Sequence, residues 1–117
     1  MSVKQGDIFW IDLDEPKGSG PGSRRPYVVV QNNVFNKSRI NTVIVCSLTS
    51  NVKRAAMPGN VLLKKGEADL QKESVVNVTQ VVTVDRSELS EKIGTLSSAR
   101  MHQIIAGLKL VIEPKEL

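Results

Sequence analysis

Lys17-Gly18-Ser19-Gly20-Pro21-Gly22-Ser23-Arg24-Arg25-Pro26 runs directly into Tyr27-Val28-Val29-Val30-Gln31, and the fold turns on that junction. Glycine reaches backbone angles that other residues avoid and proline fixes its own, so Gly18 to Gly22 reads as a loop. Val28, Val29 and Val30 are consecutive and β-branched, the pattern of a short strand buried on both faces. Two arginines therefore stand where a loop meets a strand, a place where a scaffold can hold charge at the edge of a pocket. Pro26 restricts Arg25 to extended geometry and helps to aim it. A hairpin loop with two solvated cations is the plainer reading of the same residues.

Upstream, Gly6 to Leu13 alternates, with Ile8, Trp10 and Asp12 on one side and Phe9, Ile11 and Leu13 on the other; it is predicted as the first strand, ending at Asp14-Glu15-Pro16. Downstream, Asn32 to Asn41 is a polar connection with one helical turn around Val34-Phe35. Thr42 to Ser50 is a third strand whose end turns polar. Pro58-Gly59 signals a turn, Asn60 to Leu63 a short strand, and Ser74 to Val84 the longest β-branched run. Asp85 to Leu89 reads as a turn or short helix, and Lys92 to Leu96 as a last strand. The period then changes. Met101, Ile104, Ile105, Leu108 and Ile112 recur at helical steps, Ser97 or Ser98 can cap the start, and Pro114 ends the helix. Many short strands followed by one helix, without βαβ alternation, predict a small antiparallel barrel or half-open sheet with a helix packed on it.

The 117 residues suffice for a single domain, 1–117, with one core. With 40% hydrophobic and 24% charged residues the composition is that of a soluble globular protein, and with 3% aromatics the core must be Val, Ile and Leu. No apolar run approaches the roughly 18 residues a membrane span needs. Met1 to Asp7 lacks a signal-peptide core, and the single Cys46 fits a reducing cytoplasm, so a cytoplasmic chain with no membrane partner is expected. The net charge of +4 permits a polyanionic partner without demanding one.

The chemistry on offer is narrow. One histidine and one cysteine, without carboxylates at ligand spacing, make a metal site or other cofactor unexpected. Cys46 lies in the apolar run Val43 to Cys46 and reads as a buried thiol; His102 reads as a helix-surface residue. What remains is Arg24, Arg25, Ser47, Thr49, Ser50 and Gln80, a set that suits a phosphodiester. Arginine offers a planar fork matching two phosphate oxygens and stays charged throughout. A threonine hydroxyl can donate to a developing oxyanion. Spacing alone does not single out Thr49 or Gln80, because threonine is common in strands and glutamine on surfaces.

Three ordered blocks carry a resemblance. Gly6 to Asp14 with Pro16 to Ser19 and Arg25 to Asn32, then Val45 to Ser50, then Ser74 to Val81 with Thr83-Val84-Asp85, strongly resemble the MazF/PemK family of toxins over nearly the whole chain. The resemblance implies an SH3-like β-barrel, mainly β, with a C-terminal α-helix, and a homodimer. It implies a sequence-selective endoribonuclease that cuts single-stranded RNA (mRNA) without a metal and is neutralised by a cognate antitoxin, as the toxin of a type II toxin-antitoxin pair. It places catalysis on Arg25 and Thr49, with Gln80 near the substrate groove. Arg24 adds phosphate affinity, Ser47 and Ser50 complete the polar set, and Ser19 and Gly20 sit in a loop that reads the substrate. Gly20 departs from the family, whose members often carry glutamate there, so the resemblance assigns no general base. A non-catalytic toxin on the same barrel, inhibiting a protein such as gyrase, is the alternative, since fold alone does not settle function.

Overall fold

The computed structural model describes residues 2–13 and 24–115. Alternation decides its sheet. In β1 (Asp7–Asp12) Ile8 faces one apolar cluster while Phe9 and Ile11 face a second, and in β2 (Arg24–Val29) Val28 joins the first cluster while Tyr27 and Val29 join the second. β3 (Thr42–Thr49) repeats the split, with Cys46 and Leu48 against the first and Val43 and Val45 against the second. The run of valines after Pro26 is therefore apolar at every position because both faces of the sheet are covered.

β4 (Val61–Leu63), β5 (Ser74–Asp85) and β6 (Lys92–Thr95) complete six antiparallel strands in the order β4-β5-β3-β2-β1-β6. The 12-residue β5 pairs with β3 along both of its halves, with a bulge in register between Cys46 and Leu48. A bulge bends a strand and raises its twist. The sheet curls into a half-barrel, mainly β, as the strand-then-helix pattern predicts and as the SH3-like barrel implied by the resemblance requires.

A four-residue helix α1 (Asn33–Asn36) follows β2, close to the predicted turn around Val34-Phe35, and Asn32 caps it by accepting from the Val34 amide. Arg86–Glu88 is a 3-10 turn with Asp85 and Glu88 in a reciprocal capping box, resolving the turn-or-helix alternative. The helix α2 (Ser98–Ile112) is capped by Ser97, which accepts from the Arg100 amide. Met101, Ile104 and Gly107 are its buried residues.

Ile112 corrects the sequence reading: it is 76% exposed and takes no part in the buried face. The helix is pinned earlier, at Gly107, where a Cβ would stand 2.1 Å from the Gly59 carbonyl oxygen. Beyond that crossing Leu110, Val111 and Ile112 are exposed.

Candidate functional site

The ends of β1, β2 and β3 and the turn that leads into β5 enclose a cleft of about 380 Å³. Arg24 and Arg25 border it from β2, Thr49 and Ser50 from the end of β3, Trp10 from β1 and Ile93 from β6. Asp69, Leu70, Gln71 and Lys72 form the opposing wall. A volume near the low end of ligand pockets suits one nucleotide of a longer strand.

The two arginines begin the strand rather than the loop before it, paired with Asp12 and Ile11 across the β1–β2 ladder. They are not equivalent. The Arg24 guanidinium carbon lies 4.7 Å from the centre of the Trp10 ring, and its NH2 nitrogen is 4.0 Å from a Glu91 carboxylate oxygen. Arg24 is thus held by a cation–π stack and a weak surface ion pair. The Arg25 guanidinium has no hydrogen bond or ion pair with the described residues. None of its donors is taken up by a described residue.

Thr49 is half-buried, paired with Val75 at the last step of the β3–β5 ladder. Its Oγ1 accepts from the Asn51 amide at 3.2 Å. That bond uses a lone pair and leaves the hydroxyl proton free to donate. One unpaired guanidinium fork and one hydroxyl donor therefore border the same space.

Ser47 and Gln80 do not border the cleft; Ser47 is buried beside Tyr27 in the β2–β3 ladder, and its hydroxyl donates to Gln80 Oε1 at 2.9 Å. Ser19 and Gly20 lie outside the described residues. Cys46 is fully buried, donates to the Asn77 carbonyl, and has its thiol pushed up to about 12 by burial, so it cannot act as a thiolate near neutral pH. His102 is exposed on α2 and does not border the cleft.

Two features of the site escape the sequence reading. Trp10 is visible only as one member of an alternating strand, and nothing local marks it as the platform for Arg24. The wall 69–72 falls in a stretch without periodicity between β4 and β5. Its one local cue is the pair of charged residues, Asp69 and Lys72, set after Gly66.

A family model described as PemK-like, MazF-like toxin of type II toxin-antitoxin system matches residues 4–112. The chain belongs to that toxin family. Endoribonuclease MazF6 of Mycobacterium tuberculosis is 42% identical over 113 residues, which is 97% of this chain and 99% of its own length. Among solved structures, an endoribonuclease from a mycobacterial species superposes with a TM-score of 0.78 at 20% identity, covering 100% of this chain and 97% of the other. An endoribonuclease in complex with its cognate antitoxin, also mycobacterial, gives a TM-score of 0.73 at 22% identity over 99% and 98% of the two chains. At those identities the superpositions speak for the fold; family membership rests on the sequence matches.

Proposed function

We propose that the protein is an endoribonuclease, the toxin of a type II toxin-antitoxin system, and that it cuts single-stranded RNA at Arg25 and Thr49. The observation that carries the reading is the cleft bordered by a guanidinium with no partner among the described residues and by the Thr49 hydroxyl, together with Arg24 and Lys72. A phosphodiester fits those donors. Arg24 and Lys72 add positive charge along the strand, and Arg25 supplies a bidentate fork to the two non-bridging oxygens.

The 2′-hydroxyl next to the scissile phosphate attacks phosphorus in line. A P–O2′ bond forms, the P–O5′ bond breaks, the 2′ proton leaves, and the departing 5′ oxygen takes one up. The products are a 2′,3′-cyclic phosphate and a 5′-hydroxyl. Negative charge peaks on the non-bridging oxygens of the phosphorane, where preorganised donors act most strongly. Arg25 stabilises that charge, and Thr49 donates to the same oxygens or orients the attacking group. Arginine remains protonated through the cycle, so its role is electrostatic.

The same reading extends to partners. Exposed apolar residues, among them Val34, Phe35, Ile44 and Leu110, supply surface for a homodimer. A cognate antitoxin, of the kind with which the mycobacterial neighbour forms a complex, would suit the basic edge of the cleft if it presents an acidic segment. The whole chain acts as one domain in the cytoplasm. The deciding experiment incubates purified protein with a long single-stranded RNA in excess EDTA. Discrete fragments ending in 2′,3′-cyclic phosphate support the reading. Intact RNA, with growth arrest on expression, would show a non-catalytic toxin instead.

A further inference from the structure

The wall opposite Arg25 is built at some cost. Ala68 and Asp69 are the non-glycine residues with positive φ among the described residues, at 48° and 61°, and they are adjacent. Alanine disfavours the left-handed region, which aspartate tolerates better, and such strain persists only where its surroundings over-determine it. They do so here. Glu67 forms a two-pronged ion pair with Arg100 on α2, Nε to Oε1 and NH2 to Oε2, both at 2.8 Å. Glu67 Oε2 also accepts from the Lys64 amide. The Gly66 amide donates to the Leu70 carbonyl at 2.8 Å, and Leu70 itself is buried in the core. On the other side Ala68 lies against Gly94 of β6 so closely that a Cβ there would stand 2.1 Å from the Ala68 oxygen.

The product of this bracing is one carboxylate at the cleft. Among the described residues Asp69 is the single acidic one that borders it, and its side chain makes no hydrogen bond or ion pair with the others. A negative group beside Arg24, Arg25 and Lys72 opposes phosphate binding, so its position calls for a different partner. A carboxylate accepts hydrogen bonds only. Ile93, only half-buried, provides apolar surface in the same cleft. An apolar patch beside a lone acceptor matches a nucleobase laid flat with its N–H edge toward Asp69.

We infer that Asp69 is a specificity-determining residue: it selects, at one position of the RNA, a base with an exocyclic amino group and rejects uracil. Cytosine, adenine and guanine can each donate an amino N–H to the carboxylate. Uracil turns two carbonyl oxygens toward it, flanking a single N–H, and is repelled. The Glu67–Arg100 clamp acts as a positioning device, because it fixes the turn from outside the cleft.

The inference rests on the endoribonuclease reading. Its test is cleavage of a randomised single-stranded RNA library by wild type, Asp69→Asn, Asp69→Gly and Glu67→Gln, with sequencing of the new 5′ ends. Asparagine and glycine both accept a left-handed backbone, so these variants keep the turn. Wild type is expected to exclude uracil at one position. Asp69→Asn and Asp69→Gly should lose about 10- to 100-fold of that discrimination, the scale of one good base-edge contact. Glu67→Gln should blur the same position less, and no other. An unchanged motif in both Asp69 variants overturns the inference while leaving the wild-type activity in place. A uniform loss of rate with the motif intact also overturns it, since it assigns Asp69 to the chemistry. A wild-type protein that leaves the library uncut overturns the endoribonuclease reading and this one together.

Discussion

Replacing Arg25 by alanine separates chemistry from architecture. The side chain forms no bond to the described residues, so its removal leaves no buried partner unsatisfied and no cavity in either core cluster. Stability should change by less than about 0.5 kcal/mol, as for an ordinary surface substitution. The transition state loses one preorganised donor group, which costs on the order of 100- to 1000-fold in rate, or about 2.7–4 kcal/mol. Arg25→Lys keeps the charge but not the fork and should recover little. Arg24→Ala reverses the pattern. It removes the stack on Trp10, about 0.5–1 kcal/mol for an exposed pair, and an ion pair whose side chains are 50% and 75% exposed and which is worth little. It should lower the melting temperature slightly and weaken RNA binding, with the single-turnover rate at saturation nearly unchanged. The assay is single-turnover cleavage of one defined RNA by the variants, with thermal melts alongside. Near-wild-type cleavage by Arg25→Ala would refute the catalytic assignment, and a folding defect in that variant would refute its structural premise.

Thr49→Ala should also slow single-turnover cleavage, and the Arg25→Ala, Thr49→Ala double variant should lose less than the product of the two single losses if both serve the same oxygens; multiplicative losses would mean that they act independently. Glu67→Gln probes the clamp in another way: the Arg100 guanidinium holds the Glu67 carboxyl below its ordinary value of 4.5, so the pair stabilises the fold above that pH and the contribution is lost as pH falls through the lower folded value. Urea midpoints from pH 7 to pH 3 should therefore fall more steeply for wild type than for Glu67→Gln, and parallel curves would remove the linkage. Gly94→Ala should destabilise by about 1–3 kcal/mol, because its Cβ must displace the Ala68 backbone; an unchanged melting temperature would mean that the turn yields freely. Cys46 should react with an aromatic disulfide only as fast as the protein opens, since it is fully buried with its thiol pushed up to about 12, and rapid labelling of the native protein would contradict that burial.

What the sequence made legible follows the range of the forces involved. Period-two alternation in Gly6 to Leu13 and the valine run after Pro26 are set by burial on the two faces of a strand, so the sheet and its two-sided core could be read from local pattern. The helix could be read for the same reason, up to Leu108. Its last turn could not: Ile112 keeps the helical period yet lies exposed. The cleft is less legible still. Arg25 and Thr49 are 24 positions apart, and only the β2–β3 pairing, with Tyr27 opposite Ser47, sets them at one end of the sheet. The resemblance named the two residues together; spacing did not.

The wall 69–72 marks the limit of pattern reading, for a physical reason. Its conformation runs against local propensity: Ala68 takes a left-handed backbone that alanine disfavours, and neither neighbour in sequence accounts for it. The causes lie elsewhere, in Arg100 on α2, 33 residues from Glu67, and in the missing side chain of Gly94. Such a segment is invisible to periodicity and turn statistics alike, because tertiary contacts impose it. Conflict between local preference and global structure is also where function tends to sit, since a relaxed sequence could have placed glycine or asparagine at position 68 at less strain. Alanine holds it instead, and Asp69, which follows it, stands at the cleft. The strain can be measured directly. Ala68→Gly should raise stability by roughly 1 kcal/mol if relief of the left-handed backbone outweighs glycine's greater freedom when unfolded. A fall in stability would show that the turn sits at ease, and the bracing by Glu67, Arg100 and Gly94 would lose its claim to be more than packing.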